Sequence, residues 1–256
     1  MRGFVAFIKK EFTEQLRSGK LFMLAAVFAL FGIMNPAVAK LTPWMMEQFA
    51  ESLAQTGISI TEYEITAFDS WLQFFKNIPM ALIIFVLAEC GIFTKEYASR
   101  TLVLCLTKGL TRQRVMLAKT FVLSILWSVL YFACFGITYA YSAYFWDNSV
   151  VCSLGFAVLG WWLLGMLCVA LVPFFSALFD ANTGVAAGVG GVIVASYLLG
   201  LIPRLAEYTP AFLMKSAPLM YGQADSGEYT YAVIVTAILI VGSVAAALPL
   251  FNKKQL

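Results

Sequence analysis

Apolar residues fall in long uninterrupted runs along this chain, with little of the alternation that marks a soluble strand or the polar face that marks a soluble helix. Six runs stand out, at about 21–39, 78–94, 120–145, 149–178, 184–203 and 230–251. A helix that crosses a bilayer needs roughly 20 mostly apolar residues. The pattern therefore predicts an all-α polytopic membrane protein with six spans. The third and fourth runs exceed the minimum, so they are expected to tilt, kink or extend beyond the lipid. Pro173 in the fourth is a kink candidate, because it removes a backbone hydrogen bond.

The segments between the runs carry patterns of their own. At 100° per residue Val5, Ile8, Phe12 and Leu16 share one narrow arc, with Lys9, Lys10, Thr13, Glu14 and Arg17 on the other side. Residues 1–20 are thus expected to form an interfacial amphipathic helix that enters the six-span domain, 21–256, through Ser18-Gly19. Residues 40–77 form the longest external piece, with Trp44 and Trp71 as expected interfacial anchors. Asn182-Thr183 is a possible N-cap for the fifth span. Behind it Gly184, Gly188 and Gly191 make a candidate helix-packing or dimer face, since small residues let helices approach closely in lipid. The stretch 204–229 is too polar to span and too apolar for a free loop. Pro210 and Pro218 divide it, which suits a re-entrant or outer-leaflet helical pair buried against protein.

Composition agrees with the spans: 61% of residues are hydrophobic and 12% charged. No small-residue cleavage site follows the first run, so it is expected to be a retained helix. The charges are sorted. With the N-terminus in the cytoplasm, the inside segments hold Arg2, Lys9, Lys10, Arg17 and Lys20, then Lys95, Arg100, Lys108, Arg112, Arg114 and Lys119, then Lys253 and Lys254. Only Lys40, Lys76, Arg204 and Lys215 remain outside. Basic residues accumulate inside, so both termini are expected to be cytoplasmic. The stretch Phe93–Lys119 has six Lys or Arg, one acid, and the apolar Leu102, Val103, Leu104, Leu106 and Leu110. A reversing loop needs no such apolar residues, whereas a segment that docks on a partner does.

The chain has no histidine, which removes H-E-x-x-H zinc sites and Ser-His-Asp triads. Cys90, Cys105, Cys134, Cys152 and Cys168 show no C-x-x-C spacing and are expected to be small core residues, so no metal site is expected. No G-x-x-x-x-G-K-[ST] phosphate cradle occurs: Gly19-Lys20 lacks both the leading glycine and the Ser/Thr. Glu89 is the acid placed well inside an expected span. A helix-end carboxylate that meets water or a base competes there with a catalytic or ion-relay role. An intramembrane enzyme, or a non-transporting assembly or sensor subunit, is accordingly the alternative function.

Two motifs carry a resemblance. Lys10-Glu11-Phe12-Thr13-Glu14-Gln15-Leu16-Arg17-Ser18-Gly19-Lys20 follows a K-E-F-x-E-x-x-R-x-x-K pattern. Glu96, Arg100-Thr101, Leu104, Leu106, Thr111-Arg112 and Lys119 follow an E-x-x-x-G-T-x-x-x-L-L-x-x-P-x-x-R pattern and its lysine, with Arg100 in place of the glycine and Lys108-Gly109 where a proline is common. The chain resembles permease subunits of ABC-2 type transporters with six-span exporter folds. That resemblance implies a cytoplasmic coupling helix between spans two and three, with Glu96, Arg100, Thr101, Lys108, Thr111, Arg112 and Lys119 as ATPase-coupling candidates. It implies a second contact at Phe179-Asp180. It also implies two copies of a separate cytoplasmic ATPase carrying ATP and Mg, a second permease, identical or related, and no cofactor in this chain itself. Besides the lipid bilayer no other partner is expected, and no nucleic acid. The span composition favours a hydrophobic or amphiphilic cargo, such as a peptide, antibiotic or lipid-like molecule.

Overall fold

The computed structural model describes residues 2–54, 65–99 and 111–253. All regular structure among them is helical: α1 (Arg2–Arg17), α2 (Lys20–Ala54), α3 (Ala67–Glu89), α4 (Gly91–Ser99), α5 (Arg112–Phe145), α6 (Leu154–Leu178), α7 (Asn182–Leu199), α8 (Ser216–Met220) and α9 (Thr230–Lys253), with short 3-10 turns between the later ones. Six of these stretches are long and apolar enough to cross a membrane, at Lys20–Met45, Ala67–Tyr97, Arg112–Phe145, Leu154–Leu178, Asn182–Leu199 and Ser226–Lys253. The protein is an all-helical multi-span membrane protein. The candidate residues Arg100, Thr101 and Lys108, and the apolar residues 102–106 and 110, lie outside the described residues.

α1 and the close of α9 lie at one end of the bundle, beside α4 and the start of α5. At that end the Arg112 guanidinium, opening α5, donates to the Asn252 carbonyl near the end of α9 at 3.2 Å. The Phe93 and Phe251 rings of α4 and α9 meet edge-on there, 5.8 Å apart. α3 and α6 form the centre, with 61% and 67% of their most apolar stretch buried, against 17% for α7 and for α9. α5 and α6 approach closely because Gly165 has no side chain: a Cβ there would lie 2.1 Å from the Trp127 ring. Trp127 Nε1 donates to the Trp162 carbonyl at 3.1 Å, and Tyr131 Oη to the Val158 carbonyl at 2.7 Å. These bonds satisfy the polar tips of rings whose apolar bodies fill the core. A second lock joins α2, α3 and α5: Asn77 donates to Asn35 at 2.8 Å, and Asn35 to Thr138 at 3.2 Å.

Several expectations are corrected. α2 continues to Ala54 and α3 begins at Ala67, so most of the external piece 40–77 outside 55–64 is helix. Pro43 lies within α2, and the Thr42 hydroxyl donates to the Val38 carbonyl at 2.9 Å on the adjacent turn. Trp71 is not an interfacial anchor. It sits one turn inside α3, fully buried, with Nε1 donating to Asn148 Oδ1 at 3.0 Å. Trp44 is exposed. The fourth span opens at Leu154, five residues later than expected, after Asp147 caps a short 3-10 turn. α6 runs unbroken through Pro173. Asn182 is the first residue of α7 and no cap: its side-chain oxygen accepts from the Thr94 hydroxyl of α4. Gly91 permits that approach, since a Cβ there would stand 3.0 Å from the Asn182 amide.

Residues 204–229 form 3-10 turns and the short α8, packed by Leu213, Leu219, Met220 and Tyr229. Tyr229 Oη donates to the Lys215 carbonyl at 2.6 Å, and the Ala211 N–H to Ser196 Oγ of α7 at 3.0 Å. Of the α7 glycines, Gly184 and Gly188 face their own chain. A Cβ would come within 2.9 Å of Phe179 and 2.5 Å of Phe175, respectively, whereas Gly190 and Gly191 face open space.

Candidate functional site

α1 ends at Arg17, and Gly19, with a φ of +72°, turns the chain into α2 in a conformation glycine adopts without steric penalty. The turn lays α1 against α5, with Phe7, Glu11 and Gln15 buried at four-residue intervals. The arc of Val5 and Leu16 points elsewhere, each 63% exposed. The protein-packing stripe is therefore partly polar, which the apolar arc alone does not reveal.

That stripe meets charges from two other helices. Lys119, two turns into α5, is 1% exposed. Its Nζ lies 2.7 Å from Glu11 Oε2 and 3.1 Å from Glu96 Oε1 of α4. Lys10 bridges the outside of the cluster, 2.9 Å from Glu11, 2.9 Å from Glu14 and 3.1 Å from Glu96. Two ammonium groups thus hold three carboxylates, and the Phe7 and Phe93 rings stand 5.8 and 5.9 Å from Lys119 Nζ. Burial by itself would lower the Lys10 pKa, but its bonds to Glu14 and Glu11 and the nearby carboxylate charges outweigh that and raise it. The bond to Lys10 holds the Glu14 carboxyl below its usual range, against a smaller opposing effect of burial.

A second pair lies beside the first. Glu89, the last residue of α3, is fully buried. It accepts from Gln15 Nε2 at 2.7 Å and pairs with Lys20 at 3.5 Å, while Lys20 Nζ also donates to the Ala88 carbonyl at 2.8 Å. The base that meets Glu89 therefore comes from α2. A cavity of about 80 Å³ between α1 and α4 is lined by residues of both groups, among them Gln15, Lys20 and Glu96.

Glu11, Glu14 and Glu96 have carboxylate oxygens within 4.8 Å of one another. A divalent cation would have to displace two ammoniums already bonded to those oxygens, so the chemistry of the set is ion pairing.

The structure brings Glu96 and Lys119 into contact and places Arg112 at the same end. Thr111 is the N-cap of α5, its hydroxyl accepting from the Arg114 N–H at 3.4 Å. Phe179 closes α6 with its ring stacked on Phe175, and Asp180 is exposed in the turn to α7. The Thr94–Asn182 bond holds this turn beside α4. Sequence reasoning placed Lys10, Glu11, Gln15 and Lys20 in the motif of the resemblance but did not assign them to a site. The signal was the i, i+4, i+8 series Phe7-Glu11-Gln15, which places two polar side chains in line with a buried ring.

A family model described as ABC-2 family transporter protein matches residues 5–256. The chain is also similar to the uncharacterized transmembrane protein YxlG of Bacillus subtilis (strain 168), with 24% identity over 254 residues, covering 95% of this chain and 96% of the relative. Six apolar helices and a match over nearly the whole length agree, and the chain belongs to the ABC-2 family of transporter proteins, as a membrane permease subunit.

Proposed function

We propose that this permease works as an exporter of a hydrophobic or amphiphilic cargo, driven by a separate ATPase, with two ATPase copies serving a pair of permeases. ATP and Mg belong to the ATPase. Residues 96–119 form the coupling segment, Phe179-Asp180 the second contact, and both termini face the cytoplasm.

The carrying observation is the buried bond between Glu96 and Lys119, 3.1 Å long, with both residues also joined to α1. These two residues flank segment 100–110. A force applied to that segment is delivered to α4, α5 and α1 together, because separating any of them leaves a charge buried without its partner. That is a large penalty, so the three helices move as a unit.

Arg100→Ala and Lys108→Ala test the reading, since both residues lie between Glu96 and Lys119 in the chain, within the proposed coupling segment. Both variants should insert normally and co-purify less of the ATPase. A lost charge-assisted bond of roughly 1.5–3 kcal/mol corresponds to about a tenfold to hundredfold loss of affinity. Full ATPase binding and full cargo-stimulated hydrolysis in both variants would reduce the segment to a topological anchor.

A further inference from the structure

The end of the bundle opposite the charge cluster holds a cavity of about 590 Å³ between the close of α7 and residues 206–215. α7 starts at Asn182 beside α4, and its 18 residues at about 1.5 Å each carry the chain on the order of 27 Å to the cavity. The volume lies within the range of roughly 300–1,000 Å³ usual for small-molecule sites. The walls are mostly apolar: Tyr197 from α7, Leu201 just past its end, and Ala206, Phe212 and Met214 from the facing segment. The segment is built, not loosely laid over: the Ala211 N–H bonds to Ser196, and Thr209 and Ala206 are buried. Gly200 allows the close approach, since a Cβ there would lie 3.2 Å from Thr209 Oγ1.

One cation lines this cavity. Lys215 Nζ lies 4.7 Å from the Phe212 ring centre, and its ammonium has no carboxylate within salt-bridge distance among the described residues. An ammonium without a counter-ion beside an apolar chamber fits a ligand with the inverse distribution, an acidic head on an apolar body. The ring can hold the ammonium while the site is empty, and an anion would add a charge-assisted bond.

We propose that this cavity binds an amphiphile with a single anionic headgroup, the head on Lys215 and the apolar body along Tyr197, Leu201, Phe212 and Met214. Naming that ligand as cargo rests on the exporter reading, but binding itself does not.

The test uses the full chain purified in an uncharged maltoside detergent and titrated with dodecyl phosphate, with binding followed by thermophoresis. Saturable binding at one site per chain is expected, with inorganic phosphate alone binding at least tenfold more weakly. Lys215→Gln should weaken dodecyl phosphate by about tenfold or more, and Lys215→Arg should keep it. Lys76→Gln, which removes an exposed cation that does not line the cavity, should leave it unchanged. Phosphatidylglycerol that displaces the probe would identify a bilayer lipid as the occupant. Failure to displace it would identify a single-chain amphiphile, and both results carry the proposal. Three results would overturn it: no saturable binding, equal binding by Lys215→Gln, or equal weakening by Lys76→Gln. Because the permease is assayed alone, failure here leaves ATPase coupling standing, and failed coupling leaves this site standing.

Discussion

Lys119 Nζ and Glu11 Oε2 lie 2.7 Å apart with both side chains buried, although 108 residues separate them in the chain. Moving two charges out of water is costly, and their attraction repays that cost only with good geometry and further bonds. Glu96 and Lys10 supply the further bonds here. The pair therefore serves less to stabilise the fold than to specify where α1 sits against α5.

Removing one member should be more harmful than removing both. Lys119→Met leaves Glu11 without its buried partner and should lower stability by about 3–5 kcal/mol. Adding Glu11→Met should recover much of the loss, since an apolar pair can replace a buried ion pair at little cost. Thermal unfolding of the four proteins of this cycle in detergent measures the coupling. Strictly additive losses would remove the pair as the determinant of α1 docking.

The rim of the cluster should respond to acid. Glu14 has its carboxyl pKa lowered in the folded protein by Lys10. Its contribution is present above the unfolded carboxylate value of about 4.3 and is lost as pH falls through the folded value. Lys10 is raised, so its contribution is complete below the ordinary lysine value of about 10.4 and does not change across neutral pH. Stability contributed by this pair should be flat from about pH 6 to 9 and decline below about pH 4. Glu14→Gln should flatten that acid decline relative to the parent in unfolding scans, and an unchanged decline would locate the acid response elsewhere.

Three glycines should separate internal packing from assembly. Gly165→Ala would put a methyl group 2.1 Å from the buried Trp127 ring, and Gly188→Leu would begin 2.5 Å from Phe175. Overpacking of this kind costs about 1–3 kcal/mol or more, so both variants should unfold earlier as single chains. Gly191 faces open space, and Gly191→Leu should leave single-chain unfolding unchanged. If that variant alone alters self-association on gel filtration, the face of α7 around Gly191 contacts the second permease.

Orientation can be read by labelling. With native cysteines replaced, a cysteine at Asp225 should react with an impermeant thiol reagent in intact cells, and one at Arg112 should not. Asp225 precedes α9 at one end of the bundle and Arg112 opens α5 at the other. Reaction at the Arg112 site would invert the assignment of the cytoplasmic face.

The six spans were legible because crossing a bilayer imposes a length and an apolarity that any window of the chain displays. The family pattern was legible for a similar reason, since its residues lie close together in order. Helix ends were less so. Trp71 looked like an interfacial ring until α3 proved to begin at Ala67, and Asn182 looked like a cap until its side chain proved to meet Thr94. Local sequence determined that this chain is helical, where its apolar segments lie, and that charge collects between the second and third spans. Only tertiary structure decided that Lys119 lies with Glu11 and Glu96, that Glu89 takes its base from Lys20, and that Gly188 faces Phe175 while Gly191 faces outward. Hydrophobicity acts residue by residue and survives in any window. An ion pair across 108 positions exists only once three helices have been packed at one angle and depth.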